Sequence, residues 1–304
     1  MFIVKLFLTP AFLALALLAI AVVWMLRDQE DRTRAQLVIA LVVNLFYGTT
    51  LNLLMGGEGG LFPWKYDRIL FGLDRALGLE ASTVAAHLQG FVRIPLGICY
   101  QLMVPMMIVW FFVSRSTRNA GSIVLAYIAE MLIGPLLYAI VPACGPIYAF
   151  RAQWLHPPAV APVPVRLAGL PNSFPSLHIG TAFLLLFYAR GRFSRMAALV
   201  FAAATCLATL STGEHYIVDL VPGLAFGVFA ACAGNRKISC AAGFLGLVLA
   251  WSLAVRWAYP FLIAHPMATR TFALATVALA LLALAAQWRA DDPAAHDATA
   301  GSAA

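Results

Sequence analysis

Charge is what this chain has least of. Only 11% of its 304 residues are Asp, Glu, Lys or Arg, against 62% hydrophobic. A soluble domain of this length needs far more charge to cover its surface, so that class is excluded and an integral membrane protein is indicated. Cysteine is sparse and odd in number. Of the five, Cys99, Cys206, Cys232 and Cys240 fall in or beside apolar runs, and only Cys144 sits where an outer loop is expected. Neither a disulfide framework nor a paired metal spacing follows. The formal charge of +7 does not indicate a nucleic-acid partner. Its basic residues collect in short turns between apolar runs, as membrane topology signals do.

What is present is a succession of apolar runs, and a crossing takes roughly 20 such residues. The pattern predicts an all-α, polytopic membrane helix bundle of about nine spans. Residues 1–56 read as two spans, 6–26 and 36–55. The first is read as uncleaved, because it is too long for a signal core and no small-residue cleavage site precedes Arg27. Over 57–93, Trp64, Lys65, Tyr66, Asp67, Arg68, Asp74 and Arg75 punctuate apolar residues at helical intervals. That segment is expected as amphipathic helix along the outer interface. Residues 94–233 read as the core, with spans near 94–114 and 122–141 and an outer loop over 141–174. Seven prolines in that loop predict an extended, semi-rigid strap rather than helix, roofing an outer site. Residues 234–289 carry two more spans, and 290–304 read as a disordered cytoplasmic tail. Arg27, Arg32, Arg34, Arg115, Arg118, Arg190, Arg192, Arg195, Arg236, Lys237 and Arg289 then mark one face as cytoplasmic, with the N-terminus out and the C-terminus in. An Ala- and Arg-rich composition suits a bacterium of high-GC genome, and hence a bacterial inner membrane.

Two motifs stand out. Asn172-Ser173-Phe174-Pro175-Ser176-Leu177-His178 opens one apolar run, and Gly213-Glu214-His215-Tyr216-Ile217-Val218-Asp219 opens another. Between them lie two apolar segments joined by the basic turn Arg190–Arg195. Two crossings return His178 and His215 to one face, opposite the arginines. His215 and Asp219 are four residues apart, so a helix stacks them on one side. The carboxylate can fix the imidazole tautomer and leave the other ring nitrogen as a nucleophile. Pro175 suits a first helical turn, so Ser176 and Leu177 would offer free backbone N–H groups to an anion. His178 could protonate a leaving oxygen. Together these describe phosphoester cleavage through a phosphohistidine, with no metal and no cofactor required, since arginine and helix N–H groups can hold the charge. His87, His156, His265 and His296 read as interfacial anchors. A proton-coupled transporter using the same His215–Asp219 pair is the competing reading.

Pro175-Ser176-Leu177-His178 with His215-Tyr216-Ile217-Val218-Asp219 resembles the type-2 phosphatidic acid phosphatase superfamily. More narrowly, Phe-Pro-Ser-Leu-His with His-Tyr-x-x-Asp resembles its inositol phosphorylceramide synthase branch, over about 122–233 with the flanking spans alike in architecture. The resemblance implies a six-helix phosphatase-like core, with His215 as the group that attacks phosphorus, Asp219 as its orienter and His178 as the acid. The phosphatase branch has glycine where Leu177 stands and an arginine where Thr209 stands, and its Lys-x6-Arg-Pro motif is absent. Positive partners for phosphate must therefore come from elsewhere, Arg151 first, with Arg166, Lys65 and Arg68 behind it.

The resulting expectation is a lipid phosphotransferase whose site faces the periplasm. Its substrate would be a membrane phospholipid, sphingolipid or polyprenyl phosphate, and its acceptor a lipid or polyol hydroxyl. With water as acceptor the same machinery is a phosphatase.

Overall fold

The computed structural model describes residues 62–103, 106 and 120–291. The spans expected over 6–26 and 36–55, part of 94–114, and the tail from 292 lie outside the described residues. Eleven α-helices are described: α1 Asp67–Leu77, α2 Ala81–His87, α3 Arg93–Gln101, α4 Ala120–Tyr138, α5 Pro146–Phe150, α6 Leu177–Phe187, α7 Gly191–Ser211, α8 Ile217–Gly234, α9 Ile238–Trp257, α10 Tyr259–Ala264 and α11 Pro266–Ala290. Among the described residues, five stretches are long and apolar enough to cross a membrane: Ser122–Ile140, which overlaps α4, and helices α7, α8, α9 and α11. They coincide with the runs expected at those positions. Helix α6, with 11 residues, extends only about 16 Å at 1.5 Å per residue. That is short of the roughly 30 Å hydrocarbon core, so α6 by itself covers part of a crossing.

Helix α8 is the centre of the bundle. Its apolar window is 78% buried, against 28% for α7 and 22% for α11, so the latter two are peripheral. Small residues let α8 lie against α6. A Cβ on Gly223 would come within 2.7 Å of the Ser176 carbonyl oxygen, and one on Gly227 within 2.6 Å of that of Gly180. Two glycines four residues apart thus admit the neighbouring backbone, the usual device for close helix contact in lipid. This contact sets the first motif beside the second.

The two ends of the bundle differ chemically. At one, the α6–α7 turn meets the end of α11: Arg190 pairs with Asp291 at 3.3 Å, and the Arg195 guanidinium donates to the Trp288 carbonyl. Lys237 reaches Gln287 there too. At the other end sit both motif histidines, with Arg256 donating to the Ile140 carbonyl and Arg270 to that of Ala76.

Several expectations are corrected. Of the segment over 57–93, residues 62–93 are described; they do form amphipathic helix, but its inner face is buried within the protein. In α1, Asp67, Ile69, Leu70, Phe71, Leu73, Asp74 and Ala76 are buried, and Lys65 just before it is buried as well. The proline-rich loop is not helix-free. Pro146 starts the single-turn α5, because proline at the first helical position gives up no hydrogen bond. That loop is also pinned, by a two-residue antiparallel ladder of β1 (Trp64–Lys65) with β2 (Val165–Arg166). Cys144 is buried rather than outward-facing. Cys232 and Cys240 form a disulfide across the α8–α9 turn, Cα atoms 5.9 Å apart. Their spacing suggested no pairing because the turn, not the sequence interval, brings them together.

Candidate active site

His215 does not sit on a helix. It precedes Tyr216, the N-cap of α8, and Asp219 is the third residue of that helix. The two therefore meet by capping, not by stacking on one helical face as their spacing had suggested. The Asp219 carboxylate turns back to accept from the Tyr216 N–H at 3.0 Å, and the same oxygen lies 3.3 Å from His215 Nδ1. Ser173 completes the arrangement. Its hydroxyl donates to that Asp219 oxygen at 2.5 Å, and its carbonyl lies 3.1 Å from His215 Nδ1.

These contacts assign the tautomer. A backbone carbonyl can only accept, and so can a carboxylate, so Nδ1 between them carries the proton. Nε2 is left with its lone pair. That atom lies 3.3 Å from Ser176 Oγ and 3.4 Å from His178 Nδ1. The His178 and His215 rings meet edge to face at 5.5 Å between centroids, and the other side of His178 stacks on Tyr100 of α3 at 4.2 Å. His215 and Asp219 are buried.

The sequence-predicted cradle is rearranged. Helix α6 begins at Leu177 with Ser176 as its N-cap, and the Ser176 hydroxyl accepts from the Ile179 N–H. The Ser176 N–H is occupied by the Asp219 carbonyl at 3.1 Å, so it is not free for an anion. The free first-turn donors shift one residue on, to the N–H groups of Leu177 and His178. The Leu177 side chain packs toward Gly134 of α4. Arg151 is exposed, at the junction after α5, with φ of 49°. Among the described residues no hydrogen bond or ion pair joins it, Arg166, Lys65 or Arg68 to the two histidines. Lys65 is turned to the Phe62 carbonyl at 2.6 Å, and Arg166 lies over the Trp64 ring at 5.4 Å. Thr209, which stands where the phosphatase branch has arginine, donates its hydroxyl to the Cys206 carbonyl. Among the described residues no group of three or more His, Cys, Asp or Glu is arranged to hold a metal ion.

The support beneath the site was not anticipated. Asp67 and Asp74, two turns apart on α1, both point into it. Asp74 accepts from the N–H groups of Ile217 and Val218, capping α8, and from Ala81 N–H. Asp67 accepts from Cys144 N–H, Gly145 N–H and the Tyr216 hydroxyl, tying the loop after α4 to the second motif. Burial holds both carboxyls above their ordinary range, Asp67 at about 6. Gly145 is required at its place, since φ is +98° and a side chain would run into the Glu214 backbone. Glu214 itself accepts from the Tyr148 hydroxyl at 3.1 Å at the rim, its pKa raised by burial. The one sequence signal for this support was the Asp67–Asp74 spacing of seven, which places both on one helical face.

As a class, this is a polytopic helical membrane protein with a tautomer-fixed histidine facing a second histidine at one end of its bundle. A model of the PAP2 superfamily matches residues 68–233, more than half of the chain, and the chain belongs to that superfamily. Membership brings phosphoesterase or phosphotransferase chemistry on lipid phosphates generally. The match starts in α1, so it takes in Asp74 and Tyr100 as well as both motifs, and Asp67 lies one residue before it. No curated protein and no solved structure matches.

Proposed function

We propose that the chain is a membrane phosphotransferase acting on lipid phosphoesters through a phosphohistidine at His215. The observation that carries this reading is His215 Nδ1 held between two acceptors, which presents the Nε2 lone pair toward His178. Nε2 attacks phosphorus, and the bond from phosphorus to the departing alcohol breaks as the N–P bond forms. His178 gives its proton to the leaving oxygen. In the second half an acceptor hydroxyl gives its proton to His178 while its oxygen displaces His215 from phosphorus. A lipid or polyol acceptor makes the enzyme a transferase, as the likeness of its Phe-Pro-Ser-Leu-His motif to the synthase branch favours. Water makes it a phosphatase.

Binding has to open the site. Attack needs Nε2 about 3–3.5 Å from phosphorus, and the acid about 3 Å from the leaving oxygen. The present 3.4 Å between the two nitrogens leaves no room for a phosphoryl group between them. His178, and Tyr100 stacked on it, are the mobile side of the pair, because His215 is fixed by Ser173 and Asp219. The N–H groups of Leu177 and His178 take the phosphoryl oxygens. Ser176 contributes its hydroxyl, and Arg151, within the proline-rich loop, supplies positive charge. The mechanism uses no metal, so activity is expected to survive chelator. The site faces the periplasm of a bacterial inner membrane, with the arginine-rich turns inside. A lipid enters between spans, below the proline-rich loop.

Mass spectrometry of purified enzyme incubated with phospholipids, sphingolipids and polyprenyl phosphates, with and without alcohol acceptors, tests this. A new phosphorylated lipid or headgroup that needs acceptor and vanishes in His215→Ala is expected. Free phosphate independent of acceptor would make the enzyme a phosphatase. No product with any lipid, with His215-dependent flux in proteoliposomes, would instead support transport.

A further inference from the structure

The end of the bundle away from the histidines holds a cleft the chemistry does not use. It encloses about 470 Å³ between the start of α7 and the end of α11, lined by Gly191, Arg192, Arg195, Met196, Leu199, Trp288 and Asp291. Its upper part is cationic. Arg195 is clamped, its guanidinium 5.0 Å over the Trp288 ring with one nitrogen on the Trp288 carbonyl, while its buried Nε–H has no acceptor. Arg192 is exposed at the rim. The lone carboxylate, Asp291, is already engaged by Arg190 at 3.3 Å and Gln287 at 3.1 Å. Two arginines thus line the cleft beside one neutralised acid. The lower wall is apolar: Met196 and Leu199, one turn apart on α7, are 57% and 49% exposed. Both α7 and α11 are peripheral helices whose outer faces meet lipid in a membrane-spanning bundle.

We infer that this cleft binds the phosphate of an anionic phospholipid from the leaflet opposite the histidines, with its acyl chain along Met196 and Leu199. The Arg195 guanidinium, held on the Trp288 ring in the cleft wall, gives a terminal N–H to a phosphate oxygen, and Arg192 closes over the headgroup. Basic pockets between spanning helices, at a membrane face rich in arginine, recognise anionic headgroups on these terms. A free phosphate ion would meet the same donors. The continuous apolar wall below them favours a ligand with a tail.

The test is native mass spectrometry of the full chain, released from vesicles containing phosphatidylglycerol, phosphatidylcholine or neither plus inorganic phosphate. One phosphatidylglycerol retained per chain is expected, equally in His215→Ala, which separates this site from the catalytic end. Arg192→Gln is expected to lower its affinity about tenfold, the loss of one charge-assisted contact, and to leave lipid turnover unchanged. Arg195→Gln is expected to lose it further. Because that variant also releases Trp288, the exposed Arg192→Glu provides the independent check. Equal retention of phosphatidylcholine would overturn the inference. So would undiminished binding in Arg192→Glu, or displacement by inorganic phosphate as effective as by the lipid.

Discussion

The two ends of one helix bundle solve opposite problems. At the histidine end, His215, Asp219, Ser173, Asp67 and Asp74 are buried and bonded to one another or to backbone N–H groups. At the arginine end, Arg190 and Arg192 are exposed, and the Arg190–Asp291 pair is partly open to solvent. Burial makes each contact of the first kind expensive to break, because an orphaned polar group has no water to fall back on. The second kind is screened and replaceable. The difference indicates where the chain has invested in fixed geometry: around one imidazole, through a carboxylate cap and a helix that caps the cap.

That contrast can be broken most severely at His215. His215→Ala is expected to abolish turnover while the protein still expresses. Asp219→Asn, which leaves the fold but loosens the tautomer, is expected to lower kcat on the order of 10³-fold or more. Full activity in either, measured by product release from lipid, would equate the two ends. Next in size is the support beneath. Asp74 uses both carboxylate oxygens on three backbone N–H groups, so Asp74→Ala is expected to cost about 3 kcal/mol in unfolding free energy. For Asp67, one oxygen reaches Cys144 N–H, Gly145 N–H and the Tyr216 hydroxyl. An asparagine keeps the contacts at that oxygen but turns its amide N–H toward the Cys144 N–H that the second oxygen also accepts, so Asp67→Asn is expected to cost about 1 kcal/mol, less than Asp74→Ala. Thermal unfolding in detergent compares the pair, and equal losses would contradict the bonding described.

Asp67 also carries a pH signature. Burial holds its carboxyl at about 6, above the ordinary value of 3.8. The protonated form is thus favoured by the fold. Its stabilising contribution is complete below the ordinary value and is lost as pH rises through about 6, a change of about 2–3 kcal/mol. Unfolding profiles across that window are expected to slope less in Asp67→Asn, and an unchanged slope would remove Asp67 from the account. Ser173→Ala, which takes one hydrogen bond from the Asp219 oxygen, is expected to reduce kcat by about tenfold with KM little changed. The smallest effect belongs to the other end. Arg190→Gln breaks a partly exposed ion pair and is expected to cost under about 1 kcal/mol without touching turnover.

Much of this contrast was legible before any coordinates. Alternating apolar runs and basic turns placed His178 and His215 together, opposite Arg190, Arg192 and Arg195, because topology needs only the parity of the crossings. The pairing of His215 with Asp219 was legible from their spacing, but its geometry was not. A helical face and an N-cap both join residues four apart, and only the position of the helix start at Ile217 separates them. The same ambiguity hid the use of Ser176 N–H by the Asp219 carbonyl. Asp67 and Asp74 were visible as charges on an apolar helix and looked like a solvated face. Their partners, at Cys144, Tyr216 and Val218, lie far along the chain, and no local pattern encodes that contact. Tyr100 was equally silent, since an aromatic in an apolar run has many packing fates.

The most direct measurement is peptide mapping of enzyme quenched in base during turnover, conditions under which a phosphoramidate survives. The account predicts a phosphoryl or phosphoryl-headgroup adduct on the peptide containing His215, formed with lipid substrate and discharged by acceptor. Turnover with the adduct on another residue, or with none at any time point, would contradict it.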